Sequence, residues 1–228
     1  MIITIDGPIA TGKSTIAKKL ATAIGYIYFD TGAMYRSFTY ALLKKNINLD
    51  NPQELAAFLA DFPFDIKVKK GEKRYFVGEE DVTDAIRQDN VTSQVSRVSA
   101  NPQVREKMVE LQRELSKGVN AVFEGRDMGT VVFPNAQLKI FLTGRPEVRA
   151  KRRFDEMKAK YPEESKELTL EKCMADIKMR DEYDSSRDVS PLRKAPDACE
   201  IDTSDLNQDE IVYRILEFKD TRKLRATT

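Results

Sequence analysis

MIITIDGPIATGKSTIAKKLATAIG, residues 1–25, decides the fold class. The short β-branched run IITI (2–5) reads as a strand. Ile16, Ala17, Leu20, Ala21 and Ile24 recur at the spacing of a helix with one apolar face, over about 13–24. Gly25 stands where such a helix ends. Between the two lies GPIATGKS, Gly7–Ser14, which fits G-x-x-x-x-G-K-[ST] in the strand–loop–helix context that gives the pattern its mechanism. Loop amides and an open helix N-terminus favour phosphate, and the lysine adds a point charge. Gly7, Pro8, Ile9, Ala10, Thr11, Gly12, Lys13, Ser14 and Thr15 are therefore candidates for binding a nucleoside triphosphate, with Lys13 on the β and γ oxygens and the Ser14 hydroxyl on Mg2+.

The same alternation continues along the chain. Strands are expected near 26–29, 121–123, 138–142 and 199–202. A helix follows Asn51, with Pro52 at its first position, and another follows Asn101–Pro102, with Val104, Met108, Leu111 and Leu115 as its stripe and Gly118 as its stop. Strands alternating with helices predict a doubly wound α/β fold on a parallel sheet with right-handed crossovers. FDIKVK (64–69), a turn containing Gly71 and KRYFV (73–77) break the rhythm and read as a small antiparallel insertion. The end of the chain, 219–228, is polar and is expected to fray.

Composition narrows the chemistry. The 228 residues carry a net charge of +1, so no global field argues for nucleic acid or an anionic membrane as partner. The apolar runs are too short to span a bilayer and the N-terminus lacks signal-peptide character, which together imply a cytoplasmic protein. The absence of histidine removes Ser-His-Asp and Cys-His catalysis and the usual zinc sites. The two cysteines, Cys173 and Cys199, lack metal-ligand spacing and read as reduced core residues.

Four charged stretches remain. In DTGAMYR (30–36), Asp30 can hold waters around Mg2+, while Thr31 and Arg36 flank a helix start suited to a second anion; a simple helix cap is the plainer reading. In EGRDMGT (124–130), Arg126 and Asp127 follow a strand's carboxyl end, where ligands collect in open α/β sheets, unless this is only a turn. RPEVRAKRR (145–153) is a solvated basic face, or a lid whose arginines neutralise a transferring phosphoryl group; it lacks the aromatic residues of an RNA-binding patch. From Thr169 the stripe Leu170, Cys173, Met174, Ile177 continues by the same steps into Arg180, Asp184 and Arg187. Either that helix leaves the protein there, or its charged end looks into a cleft that holds anions; a lid at 145–153 favours the cleft.

Together, DTGAMYR, SQVSRVSANPQVRE (93–106), EGRDMGTVVFP (124–134) and IKMRDEYDSSRD (177–188) resemble the nucleoside-monophosphate kinases, most closely the bacterial cytidylate kinases, over nearly the whole chain. The resemblance implies a five-stranded parallel sheet flanked by helices, with a core at about 1–35, 85–142 and 190–220. It also implies a monophosphate-binding insertion at about 36–84 that includes a three-stranded piece, and a short helical lid at about 145–168. It assigns Thr31, Arg36, Ser96, Arg105, Arg126, Asp127, Arg180, Asp184 and Arg187 to CMP, Arg149 and Arg153 to ATP, and Lys13, Arg126, Arg152 and Arg180 to catalysis. Ser14, and Asp30 through water, would serve the metal. Cytosine offers an N4 donor that Asp127 can accept and O2/N3 acceptors that Arg105 can satisfy. The loop interior Ile9-Ala10-Thr11 is bulkier than is usual in that family, and Thr31 stands where serine is common.

The expected activity is reversible, Mg2+-assisted phosphorylation of CMP and dCMP by ATP, in pyrimidine nucleotide metabolism, by a monomer. A kinase for UMP, dTMP or a shikimate-like acceptor is the nearest alternative, and a non-enzymatic nucleotide switch a more distant one.

Overall fold

The computed structural model describes residues 1–69, 72–163 and 165–226. In chain order the elements are β1 (Ile2–Asp6), α1 (Lys13–Ile24), β2 (Ile27–Asp30), α2 (Thr31–Lys44), α3 (Pro52–Ala60), β3 (Phe64–Lys69), β4 (Glu72–Val77) and β5 (Glu80–Asp81). There follow α4 (Asp89–Ala100), α5 (Pro102–Leu115), β6 (Ala121–Gly125), β7 (Leu138–Thr143), α6 (Pro146–Lys160), α7 (Leu170–Ser186), β8 (Cys199–Asp202) and α8 (Gln208–Ala226). The chain divides into two compact units, Met1–Phe29 with Gly118–Thr228, and Asp30–Lys117.

The first unit holds the parallel sheet, in the order β2-β6-β1-β7-β8. β1 lies between β6 and β7, and its Ile3, Thr4 and Ile5 are all fully buried, as a central parallel strand covered on both faces requires. Ile16, Leu20 and Ala21 of α1 and Ile211 and Ile215 of α8 pack on Ile3, Ile5, Val122, Leu138, Ile140 and Leu142 of the strands. The sequence reading of α1 holds from Lys13 to Ile24, with Gly25 at φ 68 beyond it. A separate cluster joins α6 and α7 through Ala150, Cys173 and Ile177. The polar run after Phe218, expected to fray, instead continues α8 through Ala226, which its Lys, Arg, Leu and Ala content favours; residues 227 and 228 lie outside the described residues.

The second unit is built on α2. Met34, Phe38 and Leu42 of α2 pack with Leu55 and Phe58 of α3, Val95 and Val98 of α4, and Val104 and Met108 of α5. Helices α4 and α5, expected with the sheet core, therefore cluster with 30–60 because they share this apolar interior. Asn51 and Asn101 cap α3 and α5 by accepting the amides two and three residues on, with proline at each first turn. β3, β4 and β5 form the antiparallel insertion, with Phe64 opposite Val77 and Lys69 opposite Glu72. Its turn, with Gly71, lies outside the described residues.

Gly7 is the glycine on which the site depends. Its φ is 151°, and a Cβ placed there would stand 2.2 Å from the Leu142 carbonyl oxygen of β7. Gly7→Ala is expected to cost at least ~2 kcal/mol, lowering Tm by roughly 5 °C or more in a chain of this size. Thermal denaturation checks this, and an unchanged midpoint would contradict so close a strand–loop approach.

Candidate active site

The phosphate loop leaves β1 at Asp6. Two of its residues take left-handed backbone: Gly12, at φ 85, and Ala10, at φ 60. Glycine adopts that region freely, whereas an alanine there costs about 1–2 kcal/mol that its surroundings must offset. Gly12 caps α1 without a side-chain hydrogen bond, and the first turn carries no acidic residue. The leading amides of α1 are thus left to an anion. Lys13 folds over the loop and donates to the Pro8 carbonyl at 2.6 Å, which also accepts the Thr11 hydroxyl at 3.1 Å.

Around Lys13 lies a cluster of buried charge. Burial lowers the Lys13 ammonium from 10.5 to about 7, with Arg126 adding repulsion against the pull of Glu124, Asp6 and Asp184. Arg126 donates through Nε to Asp184 Oδ2 at 2.8 Å, and Arg187 Nη1 stands 3.9 Å from Asp184 Oδ1 while its Nε donates to the Ser190 carbonyl at 2.6 Å. Burial alone would raise Asp184, but Arg126, Arg180 and Arg187 outweigh it and hold the carboxyl below its usual range. The charged end of α7 therefore faces inward: Cys173, Ile177 and Asp184 are all buried, so the apolar stripe passes into the charged one on the same face. Asp127 is buried directly after Arg126. A single π-helical turn, Met128–Val132, follows it.

Asp6 and Glu124 are acidic neighbours of Lys13 that motif matching passes over. Asp6 accepts the amides of Met128 at 2.9 Å and Gly129 at 2.8 Å, tying the start of the phosphate loop to the turn that carries Arg126 and Asp127. Burial pushes its carboxyl from 3.8 up to about 7, against those two amides and with Asp127 adding to the rise. Glu124 accepts the Tyr28 hydroxyl at 2.9 Å. The available signal for both is an acid at the end of an otherwise apolar strand.

The lid arginines separate. Arg149 donates to the Gly144 carbonyl at 2.9 Å and, through Nη1, to the Ile9 carbonyl of the phosphate loop at 3.1 Å. Arg152 donates to the Thr203 hydroxyl at 3.0 Å and carbonyl at 2.6 Å, since its place on α6 meets the segment after β8. Arg153 pairs along its own helix with Glu156 at 3.3 Å.

In the second unit, Thr31 is buried at the start of α2, and Arg36 donates to the Thr92 hydroxyl at 2.8 Å. Arg105 is buried, donates to the Ser99 carbonyl at 3.2 Å and lies 5.5 Å from the Tyr35 ring centre; Ser96 is half-buried on α4. Asp30 caps α2 by accepting the Ala33 amide at 2.8 Å, with Arg87 3.8 Å from its other oxygen. The plainer reading of Asp30 as a cap is thus realised.

No group of three or more acidic or cysteine side chains forms a metal cage among the described residues. Ser14 is exposed in the first turn of α1. One hydroxyl suits a cation that keeps most of its waters and takes its other ligands from nucleotide phosphates, the usual condition of Mg2+.

A parallel sheet in this order, a phosphate loop after the central strand and convergent arginines around a buried lysine define a P-loop phosphotransferase. The fold is shared with shikimate kinase from Bacteroides thetaiotaomicron, at TM-score 0.51 and 13% identity, covering 96% of this chain and 98% of that one. The family model for cytidylate kinase matches residues 3–221. The cytidylate kinase of Protochlamydia amoebophila is 64% identical over 225 residues, 99% of each chain, and that of Geobacillus thermodenitrificans is 47% identical over 221 residues, 96% of each. The chain belongs to the cytidylate kinase family.

Because the folded Asp6 carboxyl titrates at about 7 and the free one at 3.8, the folded state holds the extra proton between those values. Its stability contribution is full below pH ~4 and is lost as pH rises through ~7. Melting wild type and Asp6→Asn across that range without nucleotide should show the wild type losing ground as pH rises. A constant gap between the two would mean that Asp6 titrates as an ordinary carboxylate.

Proposed function

We propose that the chain transfers the γ-phosphoryl group of ATP reversibly to the 5′-phosphate of CMP and dCMP. The observation that carries this reading is the cluster in which Arg126 is held on Asp184 beside Lys13, with Asp127 next in sequence at the carboxyl end of β6. Lys13 serves the β and γ oxygens of ATP and the amides of Gly7–Thr15 cradle its phosphates, with Arg149 on the nucleotide. Arg153 keeps that expected role as well, after releasing Glu156. Mg2+, held by the Ser14 hydroxyl and the phosphates, would neutralise charge on them; Asp30, occupied as a cap, would act on it only through water.

The acceptor is already an anion, so no general base is needed, in keeping with a chain without histidine. Catalysis becomes positioning and charge neutralisation. Arg126, Arg180 and Arg187 bind the phosphates of the acceptor, and Asp184 fixes Arg126 and reaches the ribose. Thr31 and Arg36 take the phosphate or sugar edge. Asp127 accepts the cytosine N4 amino group, and Arg105 and Ser96 read the rest of the base. With uracil, an oxygen would face Asp127, a mismatch worth on the order of 1–3 kcal/mol.

The test is ADP production from Mg·ATP with CMP, dCMP, UMP, dTMP, AMP, GMP, shikimate or no acceptor. Turnover is expected with CMP and dCMP, falling roughly tenfold or more with UMP. Equal rates on UMP would remove Asp127 as discriminator, and turnover on shikimate alone would replace the acceptor. Arg180→Ala should lower kcat by about 100-fold or more with Tm unchanged; near-normal turnover would end its assigned role.

A further inference from the structure

Ile9 of the phosphate loop is gripped by both of its peptide groups. Its amide donates to Asp181 Oδ1 of α7 at 3.3 Å, and its carbonyl accepts Arg149 Nη1 of α6 at 3.1 Å. Arg149 Nη1 also donates to Asp181 Oδ2 at 2.6 Å, which closes the ring. The side chains of Arg149 and Asp181 are only 7% and 20% exposed, so solvent does little to replace either partner. Ile9 and Ala10 also pack against the cluster of Ala150, Cys173 and Ile177. The neighbouring Ala10 holds the left-handed turn, at φ 60. Ile9 and Ala10 are thus the handle by which two helices hold the loop from outside.

We propose that Asp181 is a positioning residue for the donor nucleotide, acting through Arg149 and the Ile9 peptide to hold the strained loop in its phosphate-binding shape. It acts on the loop backbone, through the Ile9 amide and Arg149, rather than on the reacting atoms. This rests on the reading of the loop and α6 as the ATP side.

The experiment is equilibrium binding of Mg·ATP by calorimetry, with steady-state KM values for ATP and CMP, on wild type, Asp181→Asn, Arg149→Ala and the double variant. Asparagine keeps the shape but presents either an N–H to Arg149 or one to Ile9. Asp181→Asn is expected to weaken Mg·ATP binding about tenfold and to leave KM for CMP within about twofold. In the Arg149→Ala background the same change should add little, since the two act as one unit. Should the asparagine variant not fold, Asp181→Ser carries the same expectations. The assignment is overturned if both KM values rise together, if the two substitutions multiply independently, or if Mg·ATP affinity is unaltered. Wild type that binds no Mg·ATP would overturn the donor-side reading too, whereas normal wild-type binding with an indifferent Asp181→Asn overturns the clamp alone.

Discussion

Parallel pairing of β1 with β6 and β7, in a register that sets Asp6 beside both Gly125 and Phe141, is the constraint from which the site follows. Three strands end nearly flush, and each releases its chain at the same edge. The phosphate loop leaves after Asp6, Arg126 and Asp127 after Gly125, and the segment leading to α6 after Thr143. A slip of one residue would carry Asp6 away from the Met128 and Gly129 amides and turn the strand's other face outward. An antiparallel β6 would deliver Arg126 to the opposite edge. The chemistry therefore depends first on backbone hydrogen bonds and only then on arginines.

What gathers at that edge is costly to fold. Lys13, Asp6, Asp127 and Asp184 are all buried, and burial displaces the Lys13 and Asp6 equilibria toward neutrality. The Lys13 ammonium is lowered chiefly by burial and further by Arg126, against the pull of Glu124, Asp6 and Asp184. Asp184, by contrast, is satisfied before any ligand arrives, and it holds Arg126 in place.

The sheet was legible because fully buried strands such as β1 and helices such as α1 carry their periods and stops in plain sight. The predicted strands match the observed ones within about two residues, and the phosphate loop falls where strand and helix require it. β5 was expected only through the family resemblance, since two residues carry no period of their own. The helicity of 219–226 was missed because a polar composition describes both a frayed tail and a solvated helix. Side-chain ends were the least legible. Arg149, Arg152 and Arg153 share a helix and a charge, yet one reaches the phosphate loop, one Thr203 and one Glu156, and that sorting depends on tertiary neighbours absent from local pattern. Asp6 was visible only as an acid ending an apolar run, and nothing local distinguishes Asp181 from Asp184.

The division at Phe29 and Lys117 has an evolutionary side. Residues 30–117 leave the sheet from β2 and re-enter through β6, neighbouring strands in which the Ile27 amide donates to the Asn120 carbonyl at 2.9 Å. Exit and re-entry are thus about one short strand apart, ~13 Å. A segment joined to its host at two nearby points can be lengthened, trimmed or exchanged with little redrawing of the host sheet. Thr31, Arg36, Ser96 and Arg105 belong to that cassette, while the phosphate loop belongs to the host. Selection can then alter the inserted segment while the host sheet and its phosphate loop are inherited intact.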